Sequence, residues 1–144
     1  MNREEIKTLL PHREPMLLLD EVTLDEEGRA HGFYTVRGDE WFVQGHFPGN
    51  PIVPGVIQCE MMAQSCCLAL SGEDLQGKLT LFTGMDKVRF KQQVVPGDKL
   101  EFVCAATGSK GPFRFAEGTG YANGKVCVKA IMSFALVDKK GDPV

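Results

Sequence analysis

The chain has 144 residues, a length at which one domain buries about 68–70% of its unfolded surface, so we expect a single domain over residues 1–144. Its net charge of −3 and the absence of any aromatic-basic motif argue against a nucleic-acid partner. No apolar run reaches membrane-spanning length, the N-terminus offers no apolar signal core, and an odd number of cysteines, five, argues against a disulfide framework. We therefore expect a cytoplasmic protein that makes no membrane contact.

The N-terminal third predicts a short helix over residues 3–9 and two strands over residues 16–25 and 29–36. A loop over residues 45–55 follows, in which three prolines fix φ and three glycines release it. Such a backbone follows a rigid, non-repeating path. His46 lies in this loop, so we expect its imidazole to be held in one direction.

A helix is predicted from Pro54-Gly55 to Leu70, ended by Ser71-Gly72, and its residues are apolar nearly all round, which is typical of a buried helix. Glu60 lies inside this apolar run, beyond the first turn where the helix dipole acts strongly. Only Gln64 shares its stripe as a polar neighbour, and an unpaired buried carboxylate costs several kcal/mol. We therefore interpret Glu60 as a functional residue whose pKa burial raises.

The rest of the chain predicts long strands separated by the turns Pro96-Gly97-Asp98, Gly111-Pro112 and Asn123-Gly124, the last of these a hairpin. One long apolar helix and five or six antiparallel strands predict an α+β fold in which the curved sheet wraps the central helix. A helix edge left uncovered by the sheet favours an isologous dimer. The predicted strands cover residues 79–92, 100–108, 113–122 and 126–137.

Three separated motifs occur in order: residues 10–20 (LPHREPMLLLD), residues 45–64 (GHFPGNPIVPGVIQCEMMAQ), and residues 86–90 (DKVRF) followed by 94–98 (VVPGD). In these motifs the chain resembles the 3-hydroxyacyl-acyl-carrier-protein dehydratases of bacterial type II fatty acid synthesis. The related dehydratase-isomerase subfamily carries Asp at the position of Glu60, so the resemblance favours the His/Glu type. One departure is Gln93, where the family often has Pro, and it affects a local strand feature only.

The resemblance implies the hotdog fold, a homodimer often assembled further into a trimer of dimers (a homohexamer), and no cofactor. It also implies an acyl carrier protein as partner, bearing the acyl chain on phosphopantetheine. Each dimer would hold two active sites at its interface, with His46 from one subunit and Glu60 from the other.

Dehydration removes a proton from C2 and a hydroxyl from C3. A neutral His46 can take the C2 proton as general base, while a protonated Glu60 can donate to the hydroxyl. A competing account in the family makes His the sole proton carrier and gives Glu the role of holding water, and the sequence leaves both open. The backbone N–H groups of Gly55 and Val56 can stabilise charge on the thioester oxygen, a role that the family gives to this Gly, and the backbone at Phe47 would orient the substrate.

Lys87, Arg89 and Lys91 alternate along a predicted strand, which would place all three on one face as a docking patch for the acidic carrier protein. A merely solvated strand face explains the same pattern equally well. We predict a structural hydrogen-bonding role for His12 and a surface position for His31. The three histidines are scattered, no Cys-x-x-Cys pair occurs, and no glycine-rich phosphate loop follows a strand, so we expect no metal and no nucleotide cofactor.

Two alternatives belong to other functional classes. A hotdog thioesterase would use the helix carboxylate to activate water, although the Gly-His-Phe-Pro-Gly loop argues against it. A catalytically silent acyl-binding subunit is the other alternative, and the presence of both His46 and Glu60 at the dehydratase spacing weakens it.

Overall fold

A computed structural model describes residues 1–70 and 78–139 of the chain. Its helices are α1 (Arg3–Ile6) and α2 (Gly55–Ala69). Its strands are β1 (Glu21–Leu24), β2 (Ala30–Thr35), β3 (Lys78–Phe90), β4 (Lys99–Lys110), β5 (Phe113–Ala122) and β6 (Lys125–Asp138). The predicted α+β class, with one long helix against an antiparallel sheet, is confirmed.

The strands form one antiparallel sheet in the order β1-β2-β4-β5-β6-β3. Asn123 and Gly124 both have positive φ, 51° and 84°, which is the conformation that a tight hairpin between β5 and β6 requires. The predicted Asn123-Gly124 hairpin is therefore confirmed.

Helix α2 packs closely on the sheet because two strand positions facing it are glycines. A Cβ added at Gly32 would lie 1.9 Å from Ser65 Oγ, and one added at Gly118 would lie 2.4 Å from Met62 Sδ. Met61 and Met62 are fully buried there, and burial of such a side chain stabilises the fold by about 1.5–3 kcal/mol. The sequence pattern of a buried helix is confirmed, and all five cysteines are buried free thiols.

Two predicted boundaries near the N-terminus are wrong. Helix α1 ends at Ile6 rather than residue 9, because the next residues form a tighter turn in which Thr8 N–H bonds the Glu5 carbonyl (3.1 Å). Strand β1 begins at Glu21 rather than residue 16, because side chains satisfy the preceding backbone: the Arg3 guanidinium donates to the carbonyls of Leu17 and Leu19. These leucines are buried without belonging to a strand.

The remaining helix and strand boundaries agree with the prediction to within about two residues, the usual uncertainty of helix and strand ends. Helix α2 ends at Ala69 with Leu70 as its C-cap, and the predicted stop at Ser71-Gly72 lies outside the described residues.

Among the strands of the described residues, β3 forms one edge of the sheet and pairs with β6 alone. It is 13 residues long, and its side chains Leu81 and Met85 are exposed. A long edge strand presents unpaired backbone N–H and C=O groups, which are a template for pairing with another chain. In the part of the chain that the structure describes, no helix is long and apolar enough to cross a membrane.

Candidate active site

The loop that carries His46 is closed by its own backbone. His46 N–H donates to the Val43 carbonyl (3.0 Å), and the His46 carbonyl accepts from Ile52 N–H (2.7 Å). The imidazole Nδ1 lies 3.1 Å from the Ile52 carbonyl oxygen, which can only accept, so Nδ1 carries the proton. In the neutral form of the ring, Nε2 is then the nitrogen with the lone pair, which is the arrangement that a general base needs.

Phe47 stacks on the His46 ring, with the ring centroids 4.1 Å apart and an interplanar angle of 26°. The peptide bond between the two residues is cis. The Phe47 side chain is 52% exposed and does not line the cavity described next. The Phe47 ring limits the movement of the imidazole on one side. The predicted role of Phe47 in orienting the substrate stays a prediction.

His46 lines a cavity of about 600 Å³ together with the first turn of α2. Pro54, the N-cap residue, supplies no side-chain hydrogen bond to the helix end, and the N–H groups of Gly55 and Val56 precede the first intrahelical hydrogen bond, which Ile57 N–H makes to the Pro54 carbonyl (3.1 Å). Both residues line the cavity, and their role in stabilising a developing negative charge stays a prediction.

Gly55 packs closely against a side chain of the protein itself. A Cβ at this position would lie 2.6 and 2.7 Å from two ring atoms of Phe90, whose side chain also lines the cavity. Phe90 occupies the space above the helix N-terminus and forms one wall of the cavity.

Gln58 is a further cavity residue that the sequence analysis missed. It is 3% exposed, its Nε2 donates to the Val53 carbonyl (3.2 Å), and its Oε1 is buried with no hydrogen-bond partner among the residues described. The available signal was an amide side chain one turn into a helix that is apolar nearly all round.

Glu60 lies in a different, smaller cavity of about 220 Å³, which His12, Gln64 and Leu81 also line. Its Oε2 accepts from Gln64 Nε2 (2.9 Å) and lies 3.5 Å from His12 Nε2. Gln64 is itself fixed, because its Nε2 also donates to the Met16 carbonyl (2.8 Å) and its Oε1 accepts from Leu18 N–H (3.0 Å).

The predicted rise in the pKa of Glu60 is wrong. Burial does push this pKa upward, but the hydrogen bonds from His12 and Gln64 outweigh it, and the pKa lies below its usual value. The side chain is 25% exposed, so it is also less buried than expected. No sequence pattern identified His12 as a partner of Glu60, because 48 positions separate the two residues.

His31 is half-buried and ion-paired rather than on the open surface. Its Nδ1 lies 2.8 Å from Glu101 Oε2 and its Nε2 lies 2.9 Å from Asp25 Oδ2. The hydrogen bond to Asp25, followed by that to Glu101, raises the pKa of the imidazole. These two contacts of His31 connect the turn between β1 and β2, which carries Asp25, to Glu101 on β4.

The three basic residues of the predicted docking patch are exposed, but the alternation that placed them on one face is interrupted. Lys87 has a positive φ of 51°, and the β3–β6 register shifts between Asp86 and Arg89. Lys91 lies beyond the end of β3, where it lines the His46 cavity. Residues 1–70 and 78–139 contain no group of three or more His, Cys, Asp or Glu side chains that could hold a metal ion.

The sequence matches the FabA-like domain over residues 10–131. It is 46% identical over 140 residues to a protein of Clostridium beijerinckii named 3-hydroxyacyl-[acyl-carrier-protein] dehydratase FabZ, covering 94% of this chain and 99% of that one. It is 42% identical over 144 residues to the FabZ of Alkaliphilus metalliredigens, covering 99% and 98% of the two chains. The chain belongs to the FabA-like family.

The resemblance to 3-hydroxyacyl-acyl-carrier-protein dehydratases is confirmed by these relatives. Among solved structures, the dehydratase heterocomplex ApeI:P of Xenorhabdus doucetiae is similar in fold, with a TM-score of 0.78 and 23% identity over 93% of this chain and 91% of that one. The match to the fluoroacetyl-CoA thioesterase FlK has a TM-score of 0.65 and 14% identity, and it covers 76% of this chain and 86% of that one. Together with the strand order, the family and these structures confirm the hotdog fold.

In this member of the FabA-like family, one chain does not bring His46 and Glu60 into a common cavity. His46 lies with the first turn of α2, whereas Glu60 lies in the cavity bordered by β3. Glu60 is five residues beyond Gly55, a rise of about 7.5 Å along the helix.

Proposed function

We propose that this enzyme removes water from 3-hydroxyacyl-acyl-carrier-protein to give trans-2-enoyl-acyl-carrier-protein in fatty acid elongation. The observation that carries the proposal is the fixed His46 imidazole, with a free Nε2 beside the open N-terminus of α2. The FabZ relatives, named as dehydratases of this substrate, support the same reaction.

His46 Nε2 takes the proton from C2 of the substrate. The N–H groups of Gly55 and Val56 hold the thioester oxygen, on which negative charge builds as the C2–H bond breaks. The C3–O bond then breaks, the electron pair at C2 forms the double bond, and the departing hydroxyl takes a proton to leave as water. Histidine suits the first step because, as a residue type, it changes between acid and base forms near neutral pH.

Glu60 works in its ionised form in this scheme. Its pKa is lowered by hydrogen bonds, which favours a carboxylate that orients the C3 hydroxyl over an acid that donates to it. His46 then returns the C2 proton to the hydroxyl, so that the proton count balances and both groups end in their starting state. This is the water-orienting role rather than the donor role.

A homodimer completes the site. His46 and Glu60 line separate cavities of one chain, and β3 is a free edge with exposed Leu81 and Met85. Pairing of β3 with its copy about a two-fold axis would extend the sheet and bring the Glu60 cavity of one subunit towards His46 of the other. A trimer of such dimers, the acyl carrier protein as partner and the cytoplasm as location are proposed from the family resemblance.

An ultraviolet assay with a 3-hydroxyacyl thioester tests the reaction. Growth of the enoyl thioester absorbance supports dehydration, release of free thiol identifies the thioesterase alternative, and neither product identifies a silent acyl-binding protein. The Glu60→Gln variant tests the site, because we expect it to lose turnover while remaining folded. Turnover at the rate of the unsubstituted enzyme would remove Glu60 from the mechanism.

A further inference from the structure

The segment before β1 places His12 against Glu60, and no sequence pattern connects the two. Nε2 of His12 lies 3.5 Å from Glu60 Oε2, a distance at the long end of hydrogen bonding. The two side chains are similarly half-buried, with 24% and 25% of their surfaces exposed. Screening by water is weaker at such a position than on an open surface.

The two ring nitrogens of His12 have different surroundings: Nε2 lies beside Glu60, whereas Nδ1 does not. Its Nδ1 is buried, and among the described residues no group bonds to it. A carboxylate oxygen can only accept a hydrogen bond, so Nε2, which lies beside Glu60 Oε2, is the ring nitrogen that carries a proton in this contact.

Both partners of Glu60 reach the same oxygen. Gln64 Nε2 donates to Oε2 (2.9 Å), and Oε2 is also the oxygen that lies 3.5 Å from His12 Nε2. Oε1 is thus the oxygen left for a bound substrate. Gln64 is tied to the backbone of Met16 and Leu18, so the segment that carries His12 and the helix that carries Glu60 are joined at two places.

We propose that His12 is a positioning residue that holds Glu60 Oε2 and thereby directs Oε1 at the reacting hydroxyl. This inference rests on the proposed function of Glu60. His12 itself touches no reacting atom in this scheme and acts through the carboxylate.

Few other groups can produce the same effect on Glu60. The titratable residues that line its cavity, besides Glu60 itself, are His12 and Cys67. Burial, followed by the charge of Glu60, raises the pKa of Cys67 to about 12, so this thiol stays neutral. The walls supplied by β3 and β6 are uncharged: Thr80, Leu81, Phe82 and Phe134.

Three variants separate positioning from mere packing. His12→Leu keeps the volume and removes the donor, His12→Gln can place an amide N–H where Nε2 lies, and His12→Asn carries an amide too short to reach. We expect kcat to fall roughly ten- to a hundredfold in His12→Leu and His12→Asn with KM nearly unchanged, and to recover in His12→Gln to within about threefold of the unsubstituted enzyme.

The second measurement is the titration of the Glu60 carboxyl carbon by ¹³C NMR in the intact protein, with the resonance assigned by its loss in Glu60→Gln. The midpoint should move to higher pH in His12→Leu and His12→Asn and return towards its original value in His12→Gln. If His12→Leu does not fold, the comparison of His12→Gln with His12→Asn carries the test.

Unchanged kcat and an unchanged Glu60 midpoint in His12→Leu would overturn the inference, as would a His12→Gln variant as inactive as His12→Leu. The proposed reaction fails separately, through the absence of enoyl product in the ultraviolet assay, and the proposed role of Glu60 fails through an active Glu60→Gln enzyme. A Glu60→Gln enzyme without turnover beside a fully active His12→Leu enzyme would refute the role of His12 alone.

Discussion

The Nδ1 atom of His46 lies 3.1 Å from the carbonyl oxygen of Ile52, six residues later in the same loop. This one hydrogen bond adds a side-chain contact to the backbone bonds that close the loop, and it places a proton on Nδ1. Loss of the base and loss of the loop contact can therefore be separated, because each depends on a different ring nitrogen.

Asparagine and glutamine at position 46 form a matched pair. The amide of His46→Asn can donate to the Ile52 carbonyl in place of Nδ1, whereas that of His46→Gln extends towards the former Nε2 position. Both variants lack the base, so kcat should fall by roughly 10²–10⁴ in each. In urea unfolding, His46→Gln should lose about 1 kcal/mol and His46→Asn much less. Equal losses of stability would contradict a structural role for the Nδ1 contact.

Mixing two inactive variants tests whether the site is shared between subunits. In a heterodimer of His46→Ala and Glu60→Gln chains, one site lacks both residues and the other keeps both. After co-refolding of equal amounts, about half of the dimers are heterodimers, and one of the two sites in each heterodimer is intact. Activity should therefore return to about a quarter of that of the unsubstituted enzyme. Each variant refolded alone is the control. An inactive mixture, with heterodimers detected by mass, would place each site within one chain.

Gly55→Ala should destabilise the protein through Phe90. The new methyl group would lie 2.6 Å from the nearest ring atom of Phe90, and overpacking of this kind costs about 1–3 kcal/mol. Gly108→Ala is the matched control, because the nearest atom to its Cβ, on Phe115, is 3.9 Å away. Urea midpoints measure both. Addition of Phe90→Leu to Gly55→Ala should restore part of the loss, and additive losses in the double variant would rule out this contact as the cause.

The sequence predicted the fold well where structure depends on local pattern. Long strands separated by turn pairs such as Asn123-Gly124, and an apolar helix after Pro54, are confirmed with small errors at their ends. The strand predicted to begin at residue 16 was wrong, because Arg3 and Gln64 supply the hydrogen bonds of the segment before β1. Contacts between distant side chains leave no periodic signal in the sequence. The predicted rise in the pKa of Glu60 was wrong for the same reason, because its partner His12 lies 48 positions earlier in the chain.

The docking residues illustrate a further limit of pattern. Regular alternation predicted one face for Lys87, Arg89 and Lys91, but the irregularity between Asp86 and Arg89 interrupts the period of two. A bulge is a choice between two registers of similar local energy, and the partner strand decides it.

Arg89→Glu should weaken the encounter with the acidic carrier protein without changing the chemistry. We expect the KM for carrier-bound substrate to rise severalfold at low salt, and the KM for a small thioester mimic to stay constant. Lys110→Glu is the control. Lys110 aligns across the sheet, through Phe113 and Ala135, with Leu81 near the start of β3, whereas Arg89 lies near the end of β3. Equal effects of both substitutions, or of Arg89→Glu on both substrates, would argue against a docking role.

His31 makes the stability of the fold depend on pH. Hydrogen bonds to Asp25 and then Glu101 raise the pKa of the imidazole above its usual value near 6.5. A raised folded-state pKa contributes stability that is fully present below about pH 6.5 and is lost as the pH rises through the higher folded value. His31→Asn should therefore lower the free energy of unfolding by about 1 kcal/mol at pH 6, and by less at pH 9. Urea unfolding of both proteins across this range measures the difference, and a gap between them that stays constant with pH would show that the charged imidazole contributes nothing.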